Sequence, residues 1–145
     1  MILDNSITGM TGHQENPLTG TTLMGNPAPN LCLEDICASL GVQREHIRAV
    51  DPNNLVELEK IIKEEIAAPC ASVIICRRPC ALLKSVKKNP PIKVDTDKCV
   101  GCKSCMKIGC PAISIVGGKA KVDATQCVGC GVCEQLCKFG ALKEV

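Results

Sequence analysis

Cysteines at positions 99, 102, 105 and 110 are followed by cysteines at 127, 130, 133 and 137. Thiolates are soft ligands, and three of them spaced by two residues with a fourth a short way on is an iron–sulfur spacing. The run occurs twice in near-copy, as Cys99-Val100-Gly101-Cys102-Lys103-Ser104-Cys105 and as Cys127-Val128-Gly129-Cys130-Gly131-Val132-Cys133. Two 4Fe–4S clusters are therefore expected, and with them one-electron chemistry. Structural zinc also uses Cys-x-x-Cys pairs, but four ligands from two pairs would leave Cys105 and Cys133 superfluous. A disulfide scaffold is the third reading of so many cysteines.

In two-cluster ferredoxins the fourth cysteine of each run serves the other cluster. Applied here, cluster I takes Cys99, Cys102, Cys105 and Cys137, and cluster II takes Cys127, Cys130, Cys133 and Cys110. The exchange ties together two halves that have little core of their own. Gly101, Gly129 and Gly131 allow backbone N–H groups to approach the sulfurs and tune their potential. Four residues rather than three separate Cys105 from Cys110, and Lys138 stands where proline is usual. The extra residue predicts a bulge beside Cys110.

Thirteen cysteines accompany one phenylalanine and no tyrosine or tryptophan in 145 residues. Met1-Ile2-Leu3-Asp4 does not read as a signal peptide, and the apolar run near residues 70–76 is too short to span a membrane. A reducing cytoplasm, that of an anaerobe, suits the thiols. Net charge is +2 with no basic block, so neither nucleic acid nor a membrane is an expected partner. Residues 91–145 hold eight lysines against five acids, which offsets the negative charge of two thiolate-ligated clusters.

The elements that must position these groups fall on either side of Lys87-Lys88-Asn89-Pro90-Pro91, a polar, proline-rich linker signal. The expected domains are residues 1–88 and 89–145. Downstream, Ile92–Val94 reads as a strand, and residues 113–116 and 120–122 as a hairpin turning at Gly117-Gly118. Short helices are expected after Cys102 and Cys130. Upstream, apolar residues at 33, 36, 37 and 40 have helical spacing, with Gly41 as a cap. His46–Val50 reads as a strand. Asp51-Pro52 reads as a helix start, followed by Leu55, Leu58, Ile62 and Ile66 on one face. Ala71–Cys76 reads as a buried parallel strand. The fold class is thus an α/β fragment, the end of a larger domain, followed by an α+β dicluster ferredoxin-like domain.

Residues 1–30 open with a very short strand and continue as a long Thr-, Gly-, Asn- and Pro-rich loop, a length that points to function or disorder. Asn5 lies at the strand's carboxyl end, where open α/β sheets bind ligands. Residues 2–14, the Gly20–Pro29 loop, the Arg77-Arg78-Pro79-Cys80 segment and the cysteine-rich tail together resemble, in the same order, the C-terminal part of the indolepyruvate:ferredoxin oxidoreductase α subunit. The resemblance implies a thiamine diphosphate (TPP) enzyme that decarboxylates an aryl 2-oxoacid, passes electrons through cubane clusters to ferredoxin and transfers the acyl group to coenzyme A. Residues 1–88 would then be the C-terminal part of a TPP-binding domain.

By that resemblance, Asp4-Asn5-Ser6-Ile7 matches the end of the TPP motif. Asn5 would offer its side-chain oxygen and Ile7 its carbonyl to Mg²⁺, both hard donors as that ion requires. Thr11, Gly12 and Gln14 match the loop near the cofactor. The Gly-Asp-Gly half of the motif and the pyrimidine-binding domain are not in this sequence, so TPP and Mg²⁺ are expected only where a partner chain completes the site. No catalytic residue is assigned to this chain. Expected partners are the chain with the Gly-Asp-Gly half and pyrimidine domain, a β (γ-type) oxidoreductase subunit and ferredoxin. The rival reading is a stand-alone dicluster electron carrier with an N-terminal extension, and a non-functional remnant is a third. Cys32, Cys37, Cys70, Cys76 and Cys80 fit no cluster template and read as structural. Arg77-Arg78 reads as a solvated or partner-facing pair before a phosphate or coenzyme A site. His13 lies in the cofactor-side loop without an assigned role, and His46 reads as ordinary.

Overall fold

The computed structural model describes residues 1–144 and divides into two compact units, Met1–Val86 and a second beginning at Lys87. In the first unit β1 (Ile2–Asp4), β2 (Ile47–Val50) and β3 (Val73–Arg77) form one parallel sheet in the order β1-β3-β2. The aliphatic, β-branched run of β3 takes the central place, and Ile75 within it is wholly buried. Parallel sheets are covered on both faces, which favours such unbroken apolar strands. Register puts Leu3, Cys76 and Val50 in one row and Ile2, Ile75 and Ala49 in the next.

Helix α1 (Leu33–Ser39) precedes β2, and α2 (Leu55–Ala67) is the crossover from β2 to β3. Two details of α2 differ from the sequence expectation. It starts at Leu55, capped by Asn54, whose Oδ1 accepts the Glu57 N–H. Asp51 does not cap it, because its Oδ1 accepts the Asn53 N–H in a local turn and its other oxygen pairs with Arg78. The buried face is Leu58, Ile61 and Ile62, packed on Val50, Ile74 and Cys76, while Ile66 is 78 % exposed. The buried stripe runs from Ile61 to the residue one turn on, Glu65, which leaves the adjacent Ile66 outside it. Glu65 is a buried carboxylate held between His46 Nδ1 at 2.9 Å and Arg48 at 3.3 Å.

The second unit is α+β. Strand β4 (Lys93–Val94) pairs antiparallel with β7 (Leu142–Lys143), and β5 (Ile113–Val116) with β6 (Lys119–Val122). The β5–β6 turn is Gly117-Gly118, both at positive φ, a backbone twist that glycine adopts freely. A 3-10 helix at Ser104–Ile108 and a five-residue helix α3 (Val132–Leu136) follow the two Cys-Val-Gly-Cys runs. The core is Ile92, Cys105, Ile113, Ala120, Cys133 and Leu142. Two of those six residues are thiols, so the unit is built around its cysteines rather than around aromatic or aliphatic bulk. Among the described residues no helix is long and apolar enough to cross a membrane.

Candidate metal centre

All thirteen cysteines are free thiols. Cys105 is buried, and burial followed by the charges of Cys102, Cys99 and Cys137 raises its thiol pKa above the ordinary range. Cys133 is pushed up to about 11, first by burial and then by Cys130, Cys127 and Cys110. The structure thus brings the eight thiols into two tetrads, each with three members from one run and the fourth from the other. Four thiolates held this close repel one another, so the arrangement calls for a cationic centre to hold them all deprotonated.

Two pseudo-equivalent backbone contacts fix the first cysteine of each run. The Ala120 N–H donates to Cys99 Sγ and the Ile92 N–H to Cys127 Sγ, both at 3.4 Å. Ala141 N–H donates to Cys137 Sγ at 3.3 Å. Donors aimed at sulfur stabilise the thiolate and raise the potential of whatever it ligates. Cys102 is exposed, and its pKa is lowered chiefly by the Ser104 backbone N–H and hydroxyl, with Lys138 adding a smaller charge effect. The pocket of the first tetrad is lined by Cys99, Cys102, Cys105 and Cys137 with Val94, Ile115, Phe139 and Leu142 among its walls, and no carboxylate or imidazole lines it.

That donor set fits an iron–sulfur cluster: soft sulfur only, apolar walls and N–H groups turned to the sulfurs. Among the described residues no group of three or more His, Cys, Asp and Glu side chains is gathered as it would be around a bound metal ion, so the fit to a cluster rests on the chemistry of the donors.

The extra residue before Cys110 is absorbed locally. The first run makes a 3-10 helix that ends at Gly109 in the left-handed region, where the second run makes α3 and passes straight into Cys137. Lys103 and Gly131 hold equivalent positions at the two helix starts, and both are left-handed, with φ of 59° and 74°.

In the first unit, Asn5 follows β1 directly. Its Oδ1 accepts the Ile7 N–H at 3.2 Å and its carbonyl accepts the Cys80 N–H at 2.9 Å. The Ile7 side chain is buried. Thr11, Gly12 and Gln14 are exposed on a loop closed by the Thr8–Gln14 bridge, with Thr11 Oγ1 donating to Gln14 Oε1 at 2.7 Å. Asn5 Oδ1 and the Ile7 carbonyl suit a hard cation, but as one part of a coordination shell only.

Arg77 donates to Asp4 Oδ2 and to both Glu34 oxygens, and Arg78 pairs with Asp51. Neither guanidinium stands free for phosphate, and the pairing of Arg77 holds Glu34 down at about 2. Sequence reading missed this Asp4–Arg77–Glu34 network because its members lie far apart in the chain. The one available signal was an arginine ending a buried strand, where an acidic neighbour is needed.

A family profile described as a 4Fe–4S dicluster domain matches residues 91–138, which contain all eight tetrad cysteines. Over its whole length the chain is 38% identical to indolepyruvate oxidoreductase subunit IorA of Pyrococcus horikoshii and 40% identical to that of Pyrococcus abyssi. It is 36% identical, over 99% of its length, to IorA of Methanothermobacter marburgensis. In each case the chain spans 23% of the relative's length. Over its length, then, this chain is similar to one stretch of the IorA subunits of indolepyruvate oxidoreductases, and its residues 91–138 match a 4Fe–4S dicluster domain.

Proposed function

We propose that this chain is the electron-transfer portion of a TPP-dependent 2-oxoacid oxidoreductase of the indolepyruvate type. The observation that carries the reading is the end-to-end similarity to IorA, joined to two all-thiol tetrads in its final third. In this reading residues 89–145 are a 2×4Fe–4S ferredoxin-type domain, and residues 1–88 are the C-terminal part of a TPP-binding domain.

Bound clusters supply one-electron storage with little rearrangement, and bound TPP supplies the carbanion chemistry that decarboxylates a 2-oxoacid. The chain's own residues hold and tune these groups. Cys99, Cys102, Cys105 and Cys137 ligate cluster I, and Cys127, Cys130, Cys133 and Cys110 ligate cluster II. Ile92, Ala120 and Ala141 direct N–H groups at sulfur and so favour the reduced state. Asn5 and Ile7 offer oxygen to Mg²⁺, Thr11, Gly12 and Gln14 border the cofactor, and Arg77 pins the strand end from which Asn5 projects. In this reading the Gly-Asp-Gly half and the pyrimidine domain complete the TPP site, a β subunit completes the assembly, and ferredoxin takes the electrons in the cytoplasm.

The test is anaerobic purification of the native assembly, followed by identification of its chains and assays for TPP, iron and sulfide. Bound TPP, two clusters and bleaching of the clusters on addition of indolepyruvate are expected. A lone chain whose clusters reduce with dithionite but never with a 2-oxoacid overturns the catalytic assignment and leaves an electron carrier.

A further inference from the structure

The two cysteine runs are near-copies, yet their surroundings differ in one direction. In the second run Val128 is half-buried and Gly129 buried, because Asn89 and Pro90 lie over the loop and the Asn89 side chain donates to the Gly129 carbonyl at 3.2 Å. In the first run Val100 is 61 % exposed, Cys102 is exposed, and the neighbouring Phe139 is 49 % exposed. One tetrad is shielded by a strap, and the other shows a ligand to solvent.

Charge breaks the symmetry the same way. Lys103 stands beside Cys102 where the second run has Gly131, and Lys138 lies between Cys137 and Phe139, which line the same pocket as Cys102. Lys103 also sits at a left-handed φ of 59°, a conformation that costs a non-glycine residue about 1 kcal/mol. A lysine kept there against that cost, with its twin position occupied by glycine, points to a use for the cation. On the shielded side Asn89 also bonds Glu144, and Glu134 follows Cys133.

We propose that the face around Cys102, with Val100 and Phe139 at its centre and Lys103 and Lys138 at its rim, is where this chain exchanges electrons with an acidic one-electron carrier protein. The inference rests on the iron–sulfur reading above and does not depend on the carbon chemistry. Apolar contact at the centre excludes water and shortens the path to an exposed ligand, and the lysine rim steers a carrier of opposite charge. The step moves one electron from this chain in its reduced form to the oxidised carrier.

The test uses the full chain with both clusters, reduced anaerobically by dithionite and freed of excess reductant. It is mixed with a small acidic flavodoxin, whose flavin takes up one electron and a solvent proton, read as the semiquinone band. The unsubstituted chain should react at a second-order rate that falls steeply with salt. The Lys103→Glu/Lys138→Glu chain should react about tenfold or more slowly at low ionic strength. A Lys121→Glu/Lys143→Glu chain, with the same charge change placed on β6 and β7 instead, should slow by less than about twofold. Methyl viologen, a small cation that needs no docking, should oxidise all three at least as fast as the unsubstituted chain. Unchanged cluster absorption and electron paramagnetic resonance certify that each variant is folded and loaded. Equal slowing of both double variants, or slowing of neither, overturns the proposal. Because dithionite supplies the electrons, that failure is distinct from a failure to oxidise indolepyruvate.

Discussion

Gly129 and Gly109 form a matched pair that isolates the close packing of the Asn89-Pro90 strap from the conformational preference of glycine. Both are left-handed, at φ of +66° and +64°. A Cβ at Gly109 would meet nothing within 4 Å, whereas one at Gly129 would lie 2.6 Å from the Pro90 carbonyl oxygen and 2.7 Å from Asn89 Cβ and O. Alanine at either position costs about 1 kcal/mol for the left-handed backbone. At Gly129 the strap must also retreat by about half an ångström or more, which adds about 1–3 kcal/mol by the usual cost of overpacking. The expected totals are about 1 kcal/mol for Gly109→Ala and about 2–4 kcal/mol for Gly129→Ala. Unfolding of a cofactor-bound domain is not two-state, so the assay is the rate of cluster bleaching in guanidinium under anaerobic conditions. Gly129→Ala should release its clusters at least about fivefold faster than Gly109→Ala, as a difference of 1 kcal/mol implies. Equal rates would refute the reasoning, since the two residues differ only in what surrounds them.

Two further outcomes concern the first unit. Ile61→Ala should cost about 2–4 kcal/mol as a core truncation, and Ile66→Ala should fall within about 0.5 kcal/mol of the unsubstituted chain, both read by urea unfolding of the full chain; a large loss at Ile66 would restore the helix phase expected from sequence. The Glu34–Arg77 pair gives a pH dependence. The carboxyl is held at about 2 in the folded chain, below its ordinary value, so the stability it adds is present above the ordinary glutamate range and is lost as pH falls toward 2. Because Arg77 is 42 % exposed, solvent screening leaves about 1 kcal/mol. Arg77→Gln should flatten the stability profile between about pH 5 and pH 2, and an unchanged slope would show the pair to be idle.

The cysteine spacing was legible because ligation chemistry constrains both residue type and interval, and neither depends on distant packing. The strands around Val50 and Ile75 were legible for a similar reason, since an unbroken β-branched run has few other stable settings. The start of α2 was not legible. Asp51-Pro52 is a good helix opening taken alone, but Asp51 is claimed by Asn53 and by Arg78, which lies 27 residues away. The face differs for a separate reason: His46 and Arg48 draw the Glu65 carboxylate inward, so the buried stripe runs through Ile61 and Glu65 and Ile66 is left outside. The 3-10 helix ending at Gly109 was legible only as an irregularity before Cys110, because one added residue can be taken up as a bulge, a tighter helix or a left-handed turn. The contrast between Lys103 and Gly131 was in plain view, but its meaning needed the φ angle.

Each unit is closed by its own last segment. Strands β1 and β2 are not neighbours; each bonds only to β3, and the bridge from Arg77 to Asp4 spans 73 residues. In the second unit β4 waits for β7, and the first tetrad waits for Cys137. Within this stretch β1 and β2 therefore wait for β3, and contacts this distant in sequence form slowly. The β1-β3-β2 sheet closes only after residue 77 has left the exit tunnel, and the first tetrad cannot gather before Cys137 has been made. Cluster insertion must follow the synthesis of Cys137, and until then the earlier cysteines are open to oxidation and to competing metals.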